Sequence, residues 1–169
     1  KAYEIIKASA LCKKELFGKP FKSVRPDCQK YIEECYVPEK LSDTLEFLLA
    51  DYTTAQLAKK LGKSDDEKLF SDRAMHYPDN FCHERGFMSP RMENGEFVFE
   101  ENEYDDDGCV ESNIFQQGWF VPYDVKGLSK LFGEKRTISL LERFFENVRE
   151  YNGGKNPMVN RYKDMINNN

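Results

Sequence analysis

Residues 42–77 read SDTLEFLLADYTTAQLAKKLGKSDDEKLFSDRAMHY, and this stretch decides the fold class. Its first half repeats apolar side chains at helical spacing: Leu45, Leu48, Leu49, Tyr52, Leu57 and Leu61. Two lysines followed by Gly62 are typical of a helix end, where cations suit the negative pole of the helix dipole. Ser64 and Glu67 then form the S-x-x-E pattern of a capping box, which predicts a second helix at once. Helices joined by so short a connection form an antiparallel hairpin.

The rest of the chain extends this helical pattern and interrupts it once. Residues 1–16 are amphipathic, Asp124 and Gly133 bracket a helix at 125–132, and apolar residues continue at helical spacing over 137–148. A further helix, rich in aromatic residues, is predicted over 113–121. Asn94-Gly95 between apolar residues indicates a type I′ turn. We therefore predict an all-α protein, built of helical hairpins in a toroid or solenoid, with a short β-hairpin insertion near 86–100.

Composition excludes several classes of function. The chain has 169 residues, 40 % of them hydrophobic, and a net charge of −5, with its basic residues spread along the sequence. A nucleic-acid-binding protein would need a basic face, so nucleic acid is not expected as the main partner. The mean hydropathy is −0.73 and no apolar run is long enough for a membrane span. The polar stretch from Tyr151 onward has no closing element, so residues 1–169 are expected to be part of a domain truncated at both ends.

The cysteines and the acidic residues are the candidate metal ligands in this sequence. The five cysteines form no C-x-x-C pair and lie apart from the two histidines, so a zinc site is not expected and the thiols are predicted to be reduced. Residues 100–107, EENEYDDD, contain six acids. This run predicts a solvated loop or, alternatively, a calcium site, since hard cations take clustered oxygen ligands; its spacing is not that of an EF-hand.

The densest group of candidate functional residues is ESNIFQQGWF, residues 111–120. A carboxylate at the mouth of a helix, beside amides and an aromatic ring, suits sugar chemistry. Amides bind hydroxyl groups, the ring of Trp119 can stack on a pyranose, and an apolar wall would raise the pKa of Glu111 so that it can donate a proton. The alternative is structural, with Glu111 capping a helix and Trp119 lying in the core.

This stretch resembles glycoside hydrolase family 92, the calcium-dependent exo-α-mannosidases. The family pattern runs roughly EGNAWQYSWFVPHDVEGL, and this chain has ESNIFQQGWFVPYDVKGL from Glu111 to Leu128. Similar pieces occur upstream in the expected order, namely YVP at 36–38, TLE at 44–46, AQLAK at 55–59, LGK at 61–63 and GFMSPR at 86–91. The resemblance covers roughly residues 30–150. Among the positions that depart from the family pattern are Ser112, Phe115, Gln117 and Tyr123, which replace Gly, Trp, Tyr and His.

The resemblance implies part of an (α/α)6 toroid that houses an inverting mannosidase. It implies that Glu111 is the general acid, with Asn113 and Gln116 as substrate-binding or metal-shell groups and Arg91 as a sugar or structural contact. The general base of the family lies in a downstream motif that this chain lacks, and Asp124 is expected to be a helix cap instead.

The resemblance also implies partners and a location. The expected partners are a mannose-containing glycan, calcium and the rest of the parent enzyme, and the expected location is extracytoplasmic in a bacterium. The alternative functions are a helical-hairpin interaction module, for which no fixed repeat is visible, and a carbohydrate-binding relative without catalysis.

Overall fold

A computed structural model describes residues 1–98 and 108–150, with side chains up to residue 145. The acidic run predicted at 100–107 lies outside these residues. The described part is mainly helical, as predicted, with two small antiparallel sheets. In chain order its elements are α1 (Ala2–Ala10), β1 (Glu15–Leu16), β2 (Lys19–Pro20), α2 (Cys28–Glu34), α3 (Leu41–Lys60), α4 (Ser64–Ala74), a 3₁₀ helix (Tyr77–Asn80), β3 (Phe81–Cys82), β4 (Phe87–Met88), α5 (Ile114–Gln117), α6 (Val125–Phe132) and α7 (Glu134–Glu150).

The α3–α4 hairpin predicted from the opening stretch is present and forms the centre of the fold. The buried face of α3 differs from the predicted one at its C-terminal end. Leu45 and Leu48 are buried, whereas Leu57 is 36 % and Leu61 50 % exposed. Ala55 and Ala58 are buried in their place, and Ala55 packs with Phe70 of α4 in one buried cluster.

The predicted capping box is wrong. Lys63 is the N-cap of α4, Ser64 is its first helical residue, and no side chain caps the helix. Asp65, Asp66 and Glu67 instead occupy the first turn, where negative charge is stabilised by the helix dipole.

One main hydrophobic core joins α3 to the second half of the chain. It contains Leu41, Leu45 and Leu48 of α3, the β3–β4 hairpin, and residues of α5, α6 and α7. A smaller cluster of Ala10, Ala55 and Phe70 fixes α1 to the α3–α4 hairpin. None of the helices within the described ranges is long and apolar enough to cross a membrane.

The β insertion is present, but its paired strands begin earlier than the Asn94-Gly95 turn suggested. β3 and β4 pair in the register Phe81↔Met88 and Cys82↔Phe87. The predicted type I′ turn is wrong, because such a turn requires a positive φ at both central residues and Asn94 does not have one, whereas Gly95 has φ 87°. The chain turns here through a hydrogen bond of 2.9 Å from the Gly95 N–H to the Met92 carbonyl, and the turn closes a single bridge, Arg91↔Phe97. The buried hairpin was missed because its strands are two residues long, too short for an alternating pattern.

The prediction that all thiols are reduced is also wrong, because Cys12 and Cys28 form a disulfide. The bond joins the chain just after α1 to the first turn of α2, across 16 residues that include the β1–β2 hairpin. The folded loop brings the two Cα atoms within 6.0 Å, a proximity that the cysteine spacing alone does not indicate. Cys82 is buried, and the half-buried Cys35 has a pKa raised by burial.

Candidate active site

The loop that carries Glu111 is fixed to the N-terminal end of α3. The Ser42 N–H donates to the Gly108 carbonyl at 3.1 Å, and the Val110 N–H donates to the Ser42 hydroxyl at 2.9 Å. Gly108 has a left-handed backbone, φ 74°, and a Cβ added there would lie 2.8 Å from the Glu39 carbonyl oxygen. Only glycine therefore fits at Gly108, and the loop is held on both sides just before the candidate acid.

Glu111 is presented to solvent at the end of this loop. Its φ is 55°, an uncommon left-handed conformation for a residue with a side chain, and its side chain is exposed. No hydrogen bond or ion pair joins its carboxylate to any other residue in 1–98 or 108–145. The apolar wall expected around a proton donor is therefore not supplied by this part of the chain.

Asn113, rather than Glu111, caps the following helix. The Asn113 side-chain oxygen accepts a hydrogen bond of 2.9 Å from the Gln116 N–H, and Asn113 is 1 % exposed. The structural alternative in which Glu111 is the cap is thus wrong. Asn113 uses its acceptor oxygen to begin α5, and any contact between its amide nitrogen and a substrate remains a prediction.

The helix after Asn113 is shorter than predicted. α5 ends at Gln117 and Gly118 is its C-cap, so Trp119 lies beyond it rather than on a shared helical face with Phe115. Phe115 is buried against Phe87, at 5.3 Å between ring centroids. Trp119 packs edge-on against Phe132 at 5.1 Å, and its buried Nε1–H has no hydrogen-bond partner in the described structure. Trp119 is therefore largely a core residue.

Two residues that depart from the family pattern, Ser112 and Gln117, contact each other. The Ser112 hydroxyl donates to the Gln117 side-chain oxygen at 2.9 Å. The left-handed residue in this turn is Glu111, so Ser112 does not occupy the backbone conformation that would require glycine. The half-buried Gln116 makes no side-chain hydrogen bond within the described part of the chain and stays available for a ligand.

Arg91 has a structural role. Its Nε donates to the Gly95 carbonyl at 2.9 Å, and its guanidinium lies 4.5 Å from the ring centroid of Tyr36. The Arg91 carbonyl accepts from the Glu39 N–H at 2.7 Å, so Arg91 supports the segment that packs against Gly108. These contacts favour the structural contact over the sugar contact.

Asp124 caps α6, as the sequence predicts. Its Oδ1 accepts from the Gly127 N–H at 2.9 Å and its Oδ2 from the Tyr77 hydroxyl at 2.7 Å. Burial, together with the bond to Asp124, raises the pKa of Tyr77, so the phenol stays a donor. Tyr123 donates to the Ala74 carbonyl at 2.9 Å and stacks on Tyr52. Both carboxylate oxygens of Asp124 are therefore used in hydrogen bonds that hold α6 in place.

Calcium, which the family resemblance implies, stays a prediction for this site. Within 1–98 and 108–145, no group of three or more His, Cys, Asp or Glu side chains is placed to hold a metal ion. Backbone carbonyl and amide oxygens are further ligands that calcium takes.

The residues that position the Glu111 loop were not predicted from the sequence. Ser42 and Val110 are 68 residues apart, and no local pattern links them. The family motifs at 36–46 and 86–91 could have indicated these contacts, because they include the segments that hold the loop.

Comparison with known proteins agrees with the fold. The sequence pattern described as the glycosyl hydrolase family 92 catalytic domain matches residues 1–168. A family GH92 α-mannosidase from Bacteroides thetaiotaomicron superposes with a TM-score of 0.73 at 32 % identity, covering 83 % of this chain and 18 % of that one. In its complex with mannoimidazole the TM-score is 0.76 at 30 % identity, covering 90 % and 20 %.

A family GH92 inverting mannosidase from the VPI-5482 strain of the same species shares the fold, with a TM-score of 0.72 at 22 % identity, covering 99 % of this chain and 24 % of that one. No curated protein sequence is similar enough to count as a relative. The chain spans about a fifth of the length of the solved structures that it matches.

The helical frame of this chain is the one found in these family GH92 structures, over 83 % to 99 % of its residues. Since the family pattern covers nearly the whole chain, the chain belongs to glycosyl hydrolase family 92.

Proposed function

We propose that this chain supplies the general acid, Glu111, to an inverting exo-α-mannosidase that releases terminal α-linked mannose from glycans. The observation that carries the proposal is the placement of Glu111. It is an exposed carboxylate on a loop fixed by Ser42 and Gly108, at the position of the family's acid motif. A proton donor must reach the leaving-group oxygen, which an exposed, firmly held carboxylate can do.

In the proposed reaction Glu111 protonates the glycosidic oxygen while a water molecule attacks the opposite face of the sugar. Inversion requires a second carboxylate, about 6.5–9.5 Å from the first, to activate that water. We assign this base to the parent enzyme outside the chain, since Asp124 is used as a helix cap. The same outside part would close over Glu111 and provide the apolar surroundings that keep a carboxyl group protonated.

Mannose as the sugar, calcium as the metal and an extracytoplasmic location remain parts of this proposal. The complex of a relative with mannoimidazole supports a mannose-type ligand. The Cys12–Cys28 disulfide supports a location outside the cytoplasm, because disulfides persist in oxidising compartments. No step is assigned to calcium, since no three acidic, histidine or cysteine side chains within 1–98 and 108–145 are grouped to hold it.

The acid role is tested by Glu111→Gln in the full-length enzyme. The variant should lose about 10²–10⁴ in kcat/KM on a mannoside with a poor leaving group, since general acid catalysis contributes that much. An activated aryl α-mannoside, whose leaving group needs little protonation, should be affected far less. Gln116→Ala, which leaves the acid in place, is the matched control and should show no such dependence on the leaving group.

Equal and small losses on both substrates would remove Glu111 from the acid role. Such a result would favour the alternative, a carbohydrate-binding or interaction module. That alternative also predicts that the parent protein has no second carboxylate whose removal abolishes hydrolysis.

A further inference from the structure

A buried cluster of charges behind α2 has one positive charge in excess. Arg25 and Arg73 both pair with Asp51, at 2.7 Å and 3.1 Å, and the three side chains are 8 %, 7 % and 0 % exposed. The Tyr31 hydroxyl also donates to Asp51 at 2.9 Å, and burial raises the pKa of Tyr31, so the phenol adds no negative charge. Burying two cations beside one carboxylate lowers the stability of the fold unless a further anion offsets the extra charge.

The unbalanced positive charge belongs to Arg25. Arg73 directs its Nη1 to the Ala10 carbonyl at 3.0 Å as well as to Asp51. The Nη1 of Arg25, by contrast, is buried and has no acceptor in the described structure. Arg25 therefore holds a positive charge, screened from water, that its neighbours neutralise only in part.

Arg25 lines a cleft of about 330 Å³ whose other charged residues are mostly basic. Lys13, Lys14 and Lys22 also line it, and none of them has an acidic partner within residues 1–98 and 108–145. Asp27 is the only acid of the lining, and it already pairs with Lys40 at 2.6 Å. In a chain of net charge −5, four cationic side chains around one cleft form a local positive field.

The cleft is also covalently braced. Cys12 and Cys28 both line it, and their disulfide joins its two walls. A braced site loses little conformational freedom when a ligand enters, which favours binding of a small charged group.

We propose that this cleft is an anion-binding site for a phosphate or sulfate group, separate from the Glu111 loop. Arg25 forms the charged floor and acts mainly through its field, since its guanidinium is buried. The three lysines at the rim donate charge-assisted hydrogen bonds to the oxygens of the anion. Such a group could arrive as a free anion or as a substituent on a sugar.

The test measures binding of inorganic phosphate to the full-length protein by calorimetry at about 0.15 M salt, where surface charges are screened beyond roughly 8 Å. The double variant Lys13→Gln/Lys22→Gln should bind phosphate about tenfold or more weakly, since two charge-assisted contacts are lost. Lys126→Gln with Lys130→Gln, on the exposed side of α6, removes the same charge and should leave binding unchanged. Circular dichroism verifies that both variants are folded.

Equal affinity in the two double variants, or no phosphate binding by the wild type, would overturn the proposal. Titrations with mannose 6-phosphate and mannose then identify the source of the anion. Tighter binding of mannose 6-phosphate than of phosphate assigns the cleft to a substituted sugar, and the reverse assigns it to a free anion. Both results require loss of binding in the Lys13 and Lys22 variant. Neither depends on hydrolysis, so the outcome is independent of the role of Glu111.

Discussion

At the scale of single residues, the site differs from its family in a correlated way. Ser112 and Gln117 stand where the family pattern has Gly and Tyr, and the two side chains hydrogen-bond to each other. The bond links the residue after Glu111 to the last residue of α5. It therefore restrains the turn in which Glu111 adopts its left-handed backbone, a function that serine can perform and glycine cannot.

A double-mutant cycle measures this restraint. Ser112→Ala and Gln117→Ala should each lower the free energy of unfolding by about 0.5–1.5 kcal/mol, the net value of an ordinary hydrogen bond. The double variant should lose less free energy of unfolding than the sum of the two single losses, because both changes remove the same bond. Urea unfolding gives the energies. Ser112→Ala combined with Gln116→Ala is the control pair and should be additive. Additivity of the Ser112 and Gln117 changes within about 0.3 kcal/mol would show that the bond contributes nothing.

At the scale of elements, the first turn of α4 serves tertiary packing rather than capping. Asp66 accepts hydrogen bonds from Tyr3 at 2.7 Å and from Lys7 at 2.9 Å, and Lys7 also forms an ion pair with it. Burial alone would raise the pKa of Asp66, but these bonds outweigh it and lower the pKa below its ordinary value. Asp66 therefore joins α1 to the α3–α4 hairpin in its charged form.

Asp66→Asn should destabilise the protein by about 1.5 kcal/mol near neutral pH, because bonds to a charged group are replaced by weaker neutral ones. The folded-state pKa of Asp66 is lowered, so its stabilisation is present above the unfolded value near 4 and is lost as pH falls through the folded value. The difference in Tm between wild type and variant should therefore shrink below about pH 4.

Asp72→Asn is the matched control for this pH series. Asp72 lies on the same helix and pairs with Lys68, but both side chains are mostly exposed, so the change should cost well under about 1 kcal/mol. A Tm difference for Asp66→Asn that stays constant from pH 7 to pH 3 would contradict the proposed charge-dependent link between α1 and α4.

At the scale of the whole molecule, the chain has its own core and one candidate catalytic group, Glu111. It spans about a fifth of the length of the enzymes that it matches, and it leaves the Glu111 carboxylate exposed. A disulfide and a buried Asp51 cluster hold together its N-terminal third. These features describe a well-packed frame that presents one candidate catalytic group to solvent.

The isolated chain, residues 1–169, should therefore not hydrolyse an aryl α-mannoside. An inverting reaction needs a positioned base as well as an acid, and no residue of this chain is assigned to the base. The measurement is release of the aryl group over hours at high protein concentration, with the full-length enzyme as the positive control. Turnover that exceeds a blank without protein would show that the base lies within the chain.

The sequence alone determined the central helical hairpin, the helix α6 and the family. Apolar spacing predicted the α3–α4 hairpin, and Asp124 and Gly133 marked α6 at its observed ends, because periodic burial and helix caps involve residues only a few positions apart. The collinear motifs from residue 36 to Leu128 indicated the family for a related reason: they repeat residue types at fixed positions in the chain.

Only the tertiary structure decided how the Glu111 loop is held. The Ser42–Val110 bond, the Cys12–Cys28 disulfide and the Arg25–Asp51 ion pair join residues that are distant in sequence. Asn113 rather than Glu111 caps α5, and the backbone is left-handed at Glu111, in the loop that packs on α3. These contacts depend on how whole elements pack against each other, because their free energy is gained only after the helices have come together.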